Sequence, residues 1–311
     1  MEAVAGARLA LELAALQSGP AVSDRSPRAL VGVRGRDAEK LLQSLVSNDV
    51  EALPVGETCL AFVLTPKGRP IADLRIWREA PDAFVLEAEP ELHDVLALTV
   101  RRYRLAARAE IVDDRERLRL ITVVGAFPPP AGVLVSPGAI GSDVLGPVET
   151  VRELLAGLEA AGATRVGTAA YEIARIEAGV PRFGNEIDES VLPAETGLVE
   201  RTISFTKGCY VGQEPVARLH YRGHPNRHLR RLVSLAGPLP DAPSEIVLGE
   251  RVVGRLTSVA QRSSDAPAIG LGYVRREVEE GATVLIRTAD GAPVEARVEA
   301  VSPASMASRR P

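Results

Sequence analysis

Cysteine, histidine, lysine and tryptophan are all scarce in this chain, and the scarcities narrow what it can do. The two cysteines, Cys59 and Cys209, lie far apart and show no CxxC spacing. That excludes a disulfide framework and a self-contained zinc knuckle. No run of about 18 uncharged apolar residues occurs, so no membrane-spanning helix is expected. Acids and bases nearly balance at a formal net charge of −4, which argues against bulk electrostatic attraction to nucleic acid and leaves room only for a local patch. The N-terminal MEAVAGARLALELAALQSG is apolar-rich, yet it carries Glu2, Arg8 and Glu12, with Leu9, Leu13 and Leu16 at helical spacing. It reads as an amphipathic helix rather than a secretory leader, and a soluble, cytoplasmic protein is expected. Nearly all basic residues are arginine; the lysines are Lys40, Lys67 and Lys207, and the last two directly precede glycine in TPKGR and TKGC. Either this is chance, or a compact ammonium is wanted beside a tight turn.

At 311 residues the chain exceeds one ordinary core, so two or more packed units are expected. RALVGVR (28–34) alternates like a strand, RDAEKLLQSLV has helical periodicity, and TCLAFVLT, PIADLRIW and AFVLEA are β-rich runs bounded by Pro, Gly or Asp. PELHDVLALTVRRY and GPVETVRELLAGLEAAGA read as helices with proline near the first turn, and RLRLITVVG reads as a buried strand. No βαβ rhythm repeats, which predicts an α+β body rather than a doubly wound sheet. From about residue 229 short strand-like runs separated by Gly, Pro and Asp predict a small antiparallel β-barrel. The expected division is a body of mixed sheets and helices over 1–228, built as two interleaved subdomains, a barrel over 229–302, and a disordered tail over 303–311.

Three polar clusters stand out. In LTPKGRPIADLRIW an extended IADLRIW puts Ile71, Asp73 and Arg75 on one face and Ala72, Leu74 and Ile76 on the other. Asp73 is then either part of a solvated face with a weak ion pair to Arg75 or a carboxylate for an amine or amide edge of a ligand. In TAAYEIARIEAGVPRFGNEID a helix with Thr168 as N-cap stops at Gly179, leaving Glu177 where the macrodipole disfavours a negative charge. Glu177 therefore either meets Arg175 weakly or binds a ligand's donor pair. The third cluster, SFTKGCYVGQEPVARLHYRGHPNRH, holds Cys209 and three of the four histidines. It reads as a turn, an extended CYV and a helix closed by Gly223. Gly223 and Pro225 fall between the histidines, so a three-histidine metal site is not expected. Cys209, near a helix start and beside Lys207, is either a thiol of lowered pKa or a buried inert one.

KGCYVGQE resembles the signature of the folate-binding YgfZ family, also called CAF17-like or Iba57-like, which shares its fold with the glycine cleavage T-protein, an aminomethyltransferase. VSNDV, TPKGRPIADLRIW, ARIEAGVPRFGNEIDESVLPAETGL, GRLTSVA and AIGLGYVRRE extend the resemblance over nearly the whole chain. The resemblance implies a folate-sized pocket through the body, with tetrahydrofolate or a one-carbon derivative as cofactor and no permanently bound metal. It implies Asp73, Glu177, Phe183, Lys207 and Arg218 as cofactor-binding residues: Glu177 matches a carboxylate that holds the pterin, and Asp73 matches an aspartate near the reacting folate nitrogen. Phe183 stands where T-proteins usually have tyrosine, and Cys209 where they have another residue, which moves the reading towards the YgfZ branch. Asp73 and Cys209 are the catalytic candidates. The implied role is that of an accessory protein for iron–sulfur cluster assembly or maintenance, acting indirectly on tRNA-modifying enzymes. Its implied partners are folate and iron–sulfur client or assembly proteins. A folate-dependent aminomethyltransferase or related one-carbon enzyme stays open as the alternative. Direct binding of nucleic acid is not expected; the arginines at 218, 222, 227, 230 and 231 suit a polyglutamate tail equally well.

Overall fold

The alternating runs of the first half become strands that pair around two apolar faces. In the computed structural model, which describes residues 2–263, 265–287 and 292–301, α1 (Glu2–Ser18), β1 (Ala21–Asp24), β2 (Ala29–Arg34) and α2 (Ala38–Leu45) come first. Strands β3 (Thr58–Leu64), β4 (Pro70–Ala80) and β5 (Ala83–Ala88) follow, then α3 (His93–Arg104), β6 (Glu110–Asp113) and β7 (Leu118–Val124). The body continues through β8 (Leu134–Pro137), β9 (Ser142–Pro147), α4 (Val148–Ala160), β10 (Thr164–Val166), α5 (Thr168–Glu177), α6 (Val199–Thr202) and α7 (Gln213–Arg222). The expected tail at 303–311 lies outside the described residues.

One sheet is antiparallel with strand order β3-β4-β5-β2-β6. The other runs β10-β1-β7-β9-β8, and only its β1–β10 pair is parallel. The period-2 alternation of β4 decides how the sheets meet. Ala72, Leu74 and Ile76 turn into a core shared with α2 and α3. Trp77, on the opposite face, is buried with Leu30 and Val85 against Leu118, Leu120 and Leu145 of the second sheet. An indole of about 200 Å² withdrawn from water is worth roughly 5 kcal/mol, so this contact holds the sheets together. The second sheet's far side is covered by Val151 and Leu155 of α4. Leu13 and Leu16 of α1 pack on Ala170, Tyr171 and Ala174 of α5.

The third unit is a closed antiparallel barrel, in the order β11-β14-β13-β12-β15-β16. Its strands are β11 (Arg227–Ser234), β12 (Ser244–Leu248), β13 (Arg251–Ala260), β14 (Ile269–Arg275), β15 (Thr283–Arg287) and β16 (Val294–Ala300). Leu232, Ile246, Leu256, Val274, Ile286 and Val298 fill it, and closure leaves no strand edge open. Its first strand begins at Arg227, ahead of the boundary expected at 229. The barrel is fastened to the body by Ile176, which packs on Leu229, Leu271 and Tyr273, and by a buried polar junction. There Glu186 accepts from Arg175 at 2.9 Å, from the Arg182 amide at 3.0 Å and from Thr257 Oγ1 at 2.9 Å.

Two local expectations change. Thr168 is the first residue inside α5, and Gly167 is its N-cap. Glu12 of α1 accepts from the Gly167 amide at 2.9 Å, so a carboxylate from another helix serves this N-terminus. The CYV segment is irregular loop, not extended strand, because flanking anchors rather than sheet pairing hold it.

Candidate functional site

Asp73 and Arg75 continue the face of β4 that carries Trp77, and beyond the indole the two sheets part to enclose a cavity of about 110 Å³. That volume far exceeds the roughly 10–15 Å³ that one water needs. β3 supplies Leu60 and Ala61, β5 Glu87, and β9 Asp143. Arg25 and Arg28 come from the corner between β1 and β2, Tyr171 and Arg175 from α5, and Leu198 and Thr202 from the α6 region.

The polar wall is a lattice of paired charges. Arg28 meets Glu87 at 3.0 Å and also Glu89. Arg182 meets Glu89 at 3.1 Å, Arg75 meets Asp143 at 2.8 Å, and Arg175 meets Glu172 at 2.6 Å besides Glu186. Burial works against ionised Glu87, but Arg28 and Arg75 together hold it below the usual carboxylate range. Trp77 Nε1 donates to the same carboxylate at 3.1 Å, so the indole that joins the sheets also fixes this wall.

Asp73 is the exception. Its Oδ1 is withdrawn from solvent and has no hydrogen-bond partner. Burial pushes its pKa up to about 7, the charge of Glu89 adds to this, and Arg28 offsets only part of it. A buried acceptor left open is costly by about 1–3 kcal/mol, and the residue that carries it lines the cavity. Of the two readings of this residue from sequence, the solvated strand face gives way to a cavity wall.

The other expected residues do not line this cavity. Both carboxylate oxygens of Glu177 accept from Arg262, beyond the end of β13. A guanidinium thus answers the charge at the unfavourable end of α5. The weak Arg175–Glu177 pair is not formed, since Arg175 is spent on Glu172 and Glu186. Phe183 packs between two apolar clusters and bridges to Ile187. Arg218 lies exposed on α7, paired with Glu214 at 2.7 Å.

Lys207 is buried, and its Nζ donates to the carbonyls of Gln43 at 2.6 Å, Val46 at 2.8 Å and Asn48 at 2.8 Å. All three ammonium donors therefore close the C-terminus of α2, where cations are favoured. Burial pushes its pKa down to about 8. Here a compact ammonium does serve a tight turn, whereas Lys67 is merely exposed. The glycine after Lys67 matters more. A Cβ on Gly68 would lie 3.2 Å from Pro215, and one on Gly212, whose φ is 82°, would lie 2.5 Å from the Thr65 carbonyl. The β3–β4 turn and the KGCYVGQE segment are pressed together there. Between the Lys207 anchor and the buried Tyr210, Cys209 is exposed, which removes the buried-thiol reading. It does not line the Asp73 cavity.

His220 stacks on Phe205, ring centroids 3.8 Å apart, and belongs with exposed His224 to a separate, largely apolar cavity. His228 lies in β11. Among the described residues no three His, Cys, Asp or Glu side chains are grouped to hold a metal ion, and no helix is long and apolar enough to cross a membrane. Arg25, Arg28, Glu87, Glu89 and Tyr171 were not anticipated from sequence; the excess of arginine over lysine was the one available signal for a wall of guanidinium–carboxylate pairs.

Residues 3–131 match the GCVT N-terminal domain. An uncharacterized protein of Haemophilus influenzae is 29% identical over 197 residues, 62% of this chain and 66% of that one. The tRNA-modifying protein YgfZ of Serratia proteamaculans is 32% identical over 259 residues, 75% of this chain and 78% of its own. A mitochondrial homolog of the iron-sulfur cluster assembly factor IBA57 from Mycosarcoma maydis is 31% identical over 238 residues, 69% of this chain and 58% of that one. The solved aminomethyltransferase T of the Bartonella henselae glycine cleavage system superposes with a TM-score of 0.82, covering 94% of this chain and 88% of its own, at 19% identity. The α+β body followed by a small closed barrel is thus a fold that this aminomethyltransferase also adopts.

Proposed function

The chain belongs to the YgfZ (CAF17-like) branch of the glycine cleavage T-protein superfamily, and from that premise we propose that it is a tetrahydrofolate-binding accessory protein for iron–sulfur cluster assembly or maintenance. The observation that carries the ligand half is the open, buried Oδ1 of Asp73 in the wall of the cavity between the sheets. Tetrahydrofolate presents adjacent N–H donors on its pterin edge, and an acceptor without a partner suits them. Arg28 is itself committed to Glu87 and Glu89 and does not compete for Oδ1. When bound, tetrahydrofolate would supply one-carbon chemistry; the protein's part is to hold it and to exchange a proton at Asp73 Oδ1 or Oδ2. Glu177 joins this set only if Arg262 moves aside.

Support for the accessory role comes from the names of the YgfZ and IBA57 relatives and from the exposure of Cys209. A lone thiolate does not complete a cluster's ligand set, for which four thiolates are usual, so a cluster handled at Cys209 is cargo shared with a partner. Asp73 and Cys209 act at separate places on this reading. Calorimetric titration with tetrahydrofolate is the test: wild type binds, Asp73→Asn binds at least about tenfold more weakly, and Glu177→Gln differs little from wild type. Absence of binding by the wild type sinks the folate reading. For the thiol, Cys209→Ser in a deletion strain is expected to leave iron–sulfur enzymes impaired; full recovery removes Cys209 from the mechanism.

A second reading, transfer of an aminomethyl group, draws on the pKa of Asp73 near 7, which suits general acid–base work at neutral pH. Methylene-tetrahydrofolate formed from a lipoyl-bound aminomethyl donor, and lost in Asp73→Asn, would favour the enzyme over the accessory protein.

A further inference from the structure

We propose that Arg25 is the residue that reads a carboxylate on the cavity's ligand, so that the cavity selects reduced pterins bearing an anionic end over those without one. This rests on the folate reading above and adds to it a residue that decides ligand class.

Five guanidinium groups line the cavity. Arg28, Arg75, Arg175 and Arg182 are each committed to named carboxylates. Arg25 has no acidic contact and no side-chain hydrogen bond among the described residues. Its charge reaches Glu87 and Glu89 only at longer range, and both of those already have Arg28 in contact. The guanidinium is nevertheless held in place. Its carbon lies 3.9 Å from the centroid of the Tyr171 ring, a cation–π contact that fixes the plane and leaves the N–H edge free. The backbone at its root is fixed too: the Arg25 amide donates to the Leu120 carbonyl at 2.9 Å, and its carbonyl accepts from the Arg28 amide at 3.0 Å.

An oriented planar fork of N–H donors with no acid to meet is suited to bidentate capture of a carboxylate. The cavity wall thus holds two open groups of opposite character, an acceptor at Asp73 and a donor fork at Arg25. Tetrahydrofolate has the matching pair, an N–H-rich bicycle at one end and glutamyl carboxylates at the other. A role for Arg25 as a mere clamp on Tyr171 predicts something else, namely equal weakening of every ligand when Arg25 is changed.

The experiment is a double comparison by calorimetry, wild type and Arg25→Gln against tetrahydrofolate and its diamide, in which both glutamyl carboxylates are amides. Arg25→Gln is expected to lose about 10- to 100-fold affinity for tetrahydrofolate while binding the diamide as wild type does, and Arg25→Lys to recover part of the loss. Retained diamide binding shows that the variant is folded. If Arg25→Gln weakens both ligands equally, or neither, while wild type binds tetrahydrofolate, Arg25 does not read the carboxylate and only this inference falls. If wild type binds neither, the folate reading falls and takes this inference with it.

Discussion

Replacing Asp73 with asparagine should make the protein more stable and less able to bind its ligand, and the stabilisation should depend on pH in a direction set by the cavity. The carboxyl titrates near 3.8 in an unfolded chain and at about 7 in the fold, chiefly because it is buried and then because Glu89 is near. Between those values the folded chain holds more protons than the unfolded one. The stability contributed by the protonated carboxyl is therefore fully present below the unfolded value and is lost as pH rises through about 7. At about 1.36 kcal/mol per pKa unit the wild type gives up at most about 4 kcal/mol by about pH 8, but under 1 kcal/mol at about pH 4. Water entering the cavity screens the charge and lowers that ceiling. Asparagine keeps the shape and cannot ionise. With an unfolding entropy of about 2.1 cal/mol/K per residue over the 311 residues, each kcal/mol moves Tm by about 1.5 °C. Calorimetric scans should thus show Asp73→Asn melting up to about 6 °C above wild type at about pH 8 and within about 1 °C at about pH 4. A difference independent of pH, or one larger at acid pH, would refute a carboxylate whose pKa burial raises. A variant that melts higher yet fails to bind tetrahydrofolate also separates a lost site from a lost fold.

Lys207→Met removes the ammonium and leaves three carbonyls at the end of α2 open; a loss of about 2–4 kcal/mol is expected in urea unfolding, and an unchanged midpoint would contradict the capping role. Gly212→Ala should cost about 1–3 kcal/mol from the positive φ alone, with the approach to the Thr65 carbonyl adding to it; wild-type stability in the same assay would show that the turn and the KGCYVGQE loop are not pressed together. Glu186→Ala leaves Arg175 its pair with Glu172 but removes the acceptor shared by Arg175, the Arg182 amide and Thr257 at the joint between body and barrel; a loss of about 1–3 kcal/mol is expected in urea unfolding, and an unchanged midpoint would contradict its role in fastening the barrel. Cys209→Ser, at an exposed position, should stay within about 0.5 kcal/mol of wild type, so that any defect in iron–sulfur enzymes reports on the thiol and not on folding.

Much of the fold is written in local pattern. The alternation in RALVGVR and IADLRIW, the helical spacing of Leu41, Leu42 and Leu45, and the dense turn residues after 229 each depend on neighbours a few positions apart, which is the range over which periodicity carries information. Strands β1, β8 and β10 have only three or four residues, too few for alternation to show, and the β1–β10 pairing joins segments 143 positions apart. The side chosen by Asp73 on β4 is likewise legible, because a period of two admits only two faces.

What that face looks onto is a tertiary matter. Whether Asp73 met water, an arginine or a cavity depended on where the second sheet came to rest, and that followed from the burial of Trp77 against Leu118, Leu120 and Leu145. The partners of the charged residues were settled the same way. Glu177 found Arg262, 85 positions along the chain, and Lys207 found the end of α2, because an ion pair or a cap is fixed by distance in space, which no spacing in sequence records. The sequence by itself determined the longer secondary elements, the α+β class and the family signature around Cys209. The tertiary structure alone decided which charges of the cavity wall pair with one another, and so left Asp73 Oδ1 and the Arg25 side chain there without a hydrogen-bond partner among the described residues.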